Sequence, residues 1–163
     1  LASKELAVAK FELELRDRLK QTYLSEYLLG RGGKAAMTAR DYGIVGAELK
    51  KQYRYLRQFV QDIADGKLSR DQIEARANLY FDSSRAAHER GKAESWGVGN
   101  TLPGWPADGK TECLMNCRCA WSFTETTDET RATWKLGGSG ACPDCGTRAA
   151  TWNPFVIAKK EAA

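Results

Sequence analysis

The residues of this chain best suited to chemistry are its five cysteines, all of which fall between positions 113 and 145. They read Cys113-Leu-Met-Asn-Cys117-Arg-Cys119 and, after a spacer of hairpin length, Cys142-Pro-Asp-Cys145-Gly146. Two tight thiol groups separated in this way suit one tetrahedral metal ion, because zinc takes four thiolates at ~2.3 Å and a Cys-x-x-Cys-Gly turn aims backbone amides at the sulfurs. Cys142 and Cys145 are the primary ligand candidates. Two more come from Cys113, Cys117 and Cys119, and the spacing leaves open which two: Cys113 with Cys117 makes a wide knuckle, whereas Cys117 with Cys119 uses one face of an extended strand. Four thiolates leave no position for water, so such a zinc site is expected to be structural rather than catalytic. The competing arrangements are a disulfide plus a spare thiol, or a Cys-x-x-Cys redox centre. The redox centre needs a strand-to-helix setting that Pro143-Asp144 after a glycine run does not suggest.

The elements that must position these thiols are short. Cys117, Cys119, Trp121 and Phe123 alternate, as do Ala132, Trp134 and Leu136, which predicts a β-hairpin turning through 124–129. Gly137-Gly138-Ser139-Gly140 then forms a turn that returns Cys142 and Cys145 to the first strand. A module of this size cannot fold on burial alone, so the metal is expected to supply much of its stability, around a small core of Trp121, Trp134 and Trp152.

Composition divides the chain near residue 95. All five Trp, all four Pro and all five Cys follow that point. We therefore expect an α+β protein with an N-terminal bundle of about three helices over 1–92, a Gly/Pro/Trp linker loop over 93–110, a zinc-stapled β-hairpin module over 111–156, and a tail over 157–163. The first helix spans Ser3 to Leu29, with Phe11, Leu15, Leu19 and Tyr23 at steps of four and Val8 and Tyr27 extending the row. Arg31-Gly32-Gly33-Lys34 reads as a linker, since the spacing of a phosphate-binding loop is missing. The second helix opens on a Thr38–Asp41 capping pair and carries Tyr42, Val45, Leu49, Tyr53, Leu56, Val60 and Ile63 on one face. The third opens on Ser69–Gln72 and runs to Arg90-Gly91. Trp96 and Trp105, in the loop, either cover the bundle and the metal module or dock a partner.

Other candidate sites are weaker. His88, the single histidine, is a ligand or proton carrier in one reading and a helix-end partner in the other. Tyr53 and Tyr55 beside Arg54 and Arg57 could stack on bases, but an aromatic row at helical spacing is ordinarily core. No Ser-His-Asp set, Gly-x-Ser-x-Gly or carboxylate pair points to catalysis, so no enzyme is expected. A net charge of +4, concentrated in residues 1–92, allows weak DNA contact without establishing it. The chain holds no apolar run long enough to cross a bilayer and no signal-peptide pattern, so neither a membrane span nor a leader is expected. The odd cysteine count favours a reducing, intracellular setting.

Asn116-Cys117-Arg118-Cys119-Ala120-Trp121, followed by Cys142-x-x-Cys145, Arg148, Trp152 and Pro154, resembles the C-terminal region of tailed-phage minor head proteins, a group loosely related to the Mu-type head-morphogenesis proteins. The resemblance extends over about residues 50–156. Leu114-Met115 stand where the Mu-type group has His-Pro, and the two cysteine groups come in the opposite order. What the resemblance implies is a structural protein of the phage or prophage head, assembled in the host cytoplasm and carried in the virion. Its partners would be other head proteins: portal, capsid or scaffold. Two rivals remain open. One is a zinc-ribbon nucleic-acid-binding protein using Lys50, Lys51, Arg54 and Arg57; the other is a thiol enzyme.

Overall fold

The computed structural model describes residues 2–159; the last four residues of the expected tail, 160–163, lie outside the described residues. The architecture is α+β. Helices α1 (Ala2–Arg31), α2 (Ala39–Ala64), α3 (Arg70–Asp82) and α4 (Ser84–Ser95) come first. They are followed by strands β1 (Ala120–Glu125) and β2 (Glu129–Lys135), helix α5 (Pro143–Trp152) and strand β3 (Phe155–Ala158).

Local chemistry starts two of the helices as expected. Thr38 caps α2, its hydroxyl facing the Asp41 amide while its own N–H donates to the Asp41 carboxylate at 2.8 Å. Ser69 and Gln72 repeat this box at α3. Asp41 does more than cap. Turned inward and almost fully buried, it also accepts the Tyr27 hydroxyl at 2.7 Å and pairs with Arg31 at 3.3 Å, fixing the start of α2 against the end of α1. With Asp41 facing in, the expected core residue Tyr42 is rotated out into solvent. Phe59, which lay outside the expected row, is buried instead.

The expected third helix is two helices. At the break, Ser83 and Ser84 turn their hydroxyls back onto the Tyr80 and Phe81 carbonyls, and Ser83 also meets the Tyr23 hydroxyl at 2.5 Å. Gly91 is not a stop: α4 continues past residue 92 to Ser95. Its glycine serves a close approach. A Cβ on Gly91 would lie 2.3 Å from the Tyr27 carbonyl oxygen, and one on Gly30 would lie 2.1 Å from that of His88, so α1 and α4, which run in the same direction with Tyr23 meeting Ser83 and Glu26 meeting His88, pack nearly backbone to backbone.

Buried apolar residues form two clusters. The first holds Leu19, Tyr23 and Tyr27 of α1, Val45, Leu49, Leu56 and Phe59 of α2, and Ala87 of α4. The second gathers around Trp121, Trp134 and the cysteines and includes Ala93 of α4 and Val98 and Ala107 of the following loop. One helix therefore contributes to both cores. The C-terminal part is larger than a hairpin, because β3 adds a third antiparallel strand to β2 and α5 lies between them in sequence. Among the described residues, no helix is long and apolar enough to cross a membrane.

Candidate metal centre

The hairpin places Trp121 directly opposite Trp134. Their rings meet edge to face at 5.2 Å, and Trp152 from α5 stacks on Trp121 at 6.0 Å, which forms the expected aromatic core. Cys117, Cys119, Trp121 and Phe123 share one face and all four are buried, although the two cysteines precede the strand proper. Leu136, expected on the inner face of the second strand, is exposed.

Peptide groups on the outer sides of the tryptophan pair are met by side chains rather than by strands. Glu89 of α4 accepts the Trp121 N–H at 2.8 Å, and the Lys92 ammonium, 3.9 Å from the Glu89 carboxylate, donates to the Trp121 carbonyl. Across the sheet, the Asn153 amide accepts from the Trp134 N–H and donates to its carbonyl at 2.8 Å. Arg85 extends the attachment by donating to the Arg118 carbonyl at 3.2 Å, between two cysteines.

The loop is pinned onto this module. Gly104 accepts the Trp121 indole N–H at 3.0 Å. Arg148 of α5 lies over the rings of Trp134 and Trp152 and reaches the Trp105 carbonyl at 3.1 Å and Asp108 at 3.2 Å. Trp105 faces Arg90 of α4, and Trp96 stacks on Phe123. Both loop tryptophans thus contact the body of the protein.

All five thiols converge at the start of α5. Cys142 is its N-cap and Pro143 its first residue, where a missing N–H costs nothing. This corrects the expectation that the Cys-x-x-Cys lacks a helical setting: it opens a helix. The signal was present in Pro143 followed by Asp144, a first-turn acid. Asp144 accepts the Glu112 N–H at 2.7 Å and so holds the 113–117 knuckle against the helix. Within that knuckle, Leu114 sits at φ 47, a left-handed conformation uncommon outside glycine and costing roughly 1 kcal/mol. Gly137 closes the far side, where a Cβ would lie 2.4 Å from Arg118.

Cys145, fully buried, is the hub. Its sulfur is 3.7 Å from those of Cys113 and Cys117. The sulfurs form two triangles that could each hold a metal ion, Cys113–Cys142–Cys145 and Cys117–Cys119–Cys145, with every pair in a triangle within 4.8 Å. A cavity of about 30 Å³ lies among Cys113, Cys119, Cys142 and Cys145, with Asn116 and Arg118 beside it. Burial, reinforced by the surrounding thiols, pushes the Cys145 thiol far above its ordinary range, and burial raises Cys113 too. Cys142 moves the other way. Burial opposes its ionisation, but backbone N–H groups of Cys145 and Cys113 outweigh it. A divalent cation held by such a cluster would supply the countercharge that converts buried thiols to thiolates.

The remaining candidates lie elsewhere. His88 is outside both triangles and faces Glu26 of α1 at 3.4 Å. Tyr53 is half-buried under Arg16, whereas Tyr55 is exposed. Lys51 pairs with Glu48 and Arg57 with Glu12, while Lys50 and Arg54 project into solvent. Glu89, Lys92 and Asn153 were not singled out in the sequence, because a side chain that replaces a strand has no characteristic spacing.

Comparison of the chain with protein-family models, curated protein sequences and solved structures found no match.

Proposed function

We propose that this chain is a non-enzymatic structural protein whose C-terminal module is held by one zinc ion on four of its five cysteines. Its setting is the head of a tailed phage or prophage, as a minor head or capsid component or a head-assembly factor. The observation that carries the zinc reading is the convergence of five thiols from two distant segments on the start of α5. An all-sulfur donor set favours soft, thiophilic metals, and sulfur separations of 3.7 Å approach the ~3.8 Å edge of a tetrahedron with ~2.3 Å zinc–sulfur bonds. Cys142 and Cys145 supply two ligands, and two of Cys113, Cys117 and Cys119 supply the others. The phage setting rests on the resemblance around Asn116–Trp121 and Cys142–Pro154. A helical body clamped to a metal-stapled module is consistent with an assembly component.

The test is elemental analysis of protein purified without added zinc, followed by association assays with portal, capsid and scaffold proteins. One zinc per chain with salt-insensitive capture of a head protein is expected. Metal-free protein with a disulfide would overturn the zinc reading, and indifference to every head protein would overturn the setting.

A second reading, nucleic-acid binding, draws on α2. Lys50, Arg54 and Tyr55 lie exposed on that helix. DNA affinity that falls steeply with salt would favour it.

A further inference from the structure

Zinc on four cysteines leaves one thiol over, and the geometry bears on which. Cys113, Cys142 and Cys145 form one closed triangle, and all three line the small cavity at the start of α5. They come from the knuckle and the helix N-terminus, and Asp144 ties these two segments together through the Glu112 amide. Three corners of a tetrahedron are thereby set.

Two thiols are placed for the fourth corner. Cys119 is among the residues lining the cavity, and its sulfur lies within 4.8 Å of that of Cys145. The Cys117 sulfur is 3.7 Å from that of Cys145. Both are buried, and they belong to one extended segment with Arg118 between them, so they emerge from the same face about 7 Å apart along the chain. A tetrahedron completed by Cys113, Cys142 and Cys145 has room for only one of them.

Resting on the zinc reading above, we propose that Cys117 and Cys119 share the fourth coordination position, each able to complete the site when the other is absent. Cys113, Cys142 and Cys145 are the fixed ligands. An incoming thiolate beside the bound one lets the site exchange a ligand without falling to three-coordinate metal, so neither Cys117 nor Cys119 is individually essential.

Zinc affinity of the full chain, measured by competition with a chromophoric chelator and with stoichiometry from native mass spectrometry, tests this. Cys117→Ser and Cys119→Ser should each retain one zinc with a Kd within about tenfold of the parent. The double variant, like Cys113→Ser, Cys142→Ser or Cys145→Ser, should weaken binding by at least about 100-fold. If one of the two single variants fell as far as the double, a fixed fourth ligand would replace the shared one; a double variant that kept its zinc would place that ligand elsewhere. Correlation spectra of the unsubstituted chain loaded with cadmium-113 need no variant to fold. Metal coupling to the Cβ protons of both Cys117 and Cys119 is expected, and coupling to only one of them would overturn the proposal. A parent chain that binds no zinc or cadmium at all would instead remove the zinc reading itself.

Discussion

The carboxylate of Glu89, almost fully buried in α4, accepts the peptide N–H of Trp121 at 2.8 Å. Lys92, one turn further along the helix, donates to the carbonyl of the same residue. A single helical turn thus grips one residue of the cysteine-rich module by both its N–H and its carbonyl. Glu89→Ala leaves a buried N–H without an acceptor and should cost about 1–3 kcal/mol, whereas Glu89→Gln keeps an acceptor oxygen and should cost less. Urea unfolding measures both. Midpoints indistinguishable from the parent for Glu89→Ala would mean that the contact contributes nothing to stability.

Glycines in the bundle should respond to alanine with opposite signs. At Gly91 a Cβ would meet the Tyr27 carbonyl and at Gly30 that of His88, both of them main-chain atoms that cannot swing aside. Either substitution should destabilise by about 1–3 kcal/mol as α1 and α4 are forced apart. Gly43 and Gly46 on α2 have open space around them, and alanine there should stabilise by roughly 0.5–1 kcal/mol through helix propensity. Thermal unfolding of the four variants decides it; destabilisation at Gly43 and Gly46 equal to that at Gly30 and Gly91 would contradict the packing described.

Acid should weaken the bundle through Asp41. Burial alone would raise this carboxyl, but hydrogen bonds from Thr38 and Tyr27, with the Arg31 charge, hold it below its ordinary 3.8. A carboxyl lowered by folding stabilises fully above its unfolded value and loses that contribution as pH falls through the folded one. Stability should therefore decline below about pH 4, and Asp41→Asn should flatten that limb. At the alkaline end, burial pushes Tyr23 from 10.0 up to about 12, so its contribution is complete below pH 10 and disappears as pH rises toward 12. Denaturation midpoints across pH check both; an acid limb unchanged in Asp41→Asn would reject the assignment.

If zinc is bound as proposed, removing it should change the tryptophan signals more than the helical one. Trp121, Trp134 and Trp152 form a single aromatic group in the core that also contains Cys117, Cys119 and Cys145. The core around Leu19, Leu49 and Phe59 is separate. Chelation is expected to red-shift the fluorescence and erase the near-ultraviolet dichroism while far-ultraviolet helicity largely persists. Simultaneous loss of both signals would show that the two cores fold as one.

Much of this arrangement could be read from local chemistry. Capping boxes at Thr38–Asp41 and Ser69–Gln72 mark helix starts within four residues, and alternation through Cys119, Trp121 and Phe123 fixes the buried face of the hairpin. The meeting of the two cysteine groups followed from their spacing, whereas the place of each of Cys113, Cys117 and Cys119 did not. What escaped the sequence depends on distant partners. Gly91 looks like a helix stop until the Tyr27 carbonyl is seen beside it, and Ser83 looks like a small packing residue until it faces the Tyr23 hydroxyl. Tyr42 fits the apolar row of α2, yet Asp41, satisfied by Tyr27 and Arg31, takes the inward position. The pairing of Glu89 and Lys92 with the Trp121 backbone has no periodic trace, because it joins residues 32 and 29 positions apart.

Asn153 on one side and Glu89 with Lys92 on the other occupy the outward peptide groups of the Trp134–Trp121 pair. A small sheet with open margins invites strands from neighbouring molecules, which is a common first step toward aggregation. At the level of its two tryptophans the outward backbone N–H and carbonyl groups of this sheet are already taken. Truncating Asn153 or Glu89 would therefore do more than loosen the fold: it would give identical molecules a place to join edge to edge, a hazard that grows with local concentration.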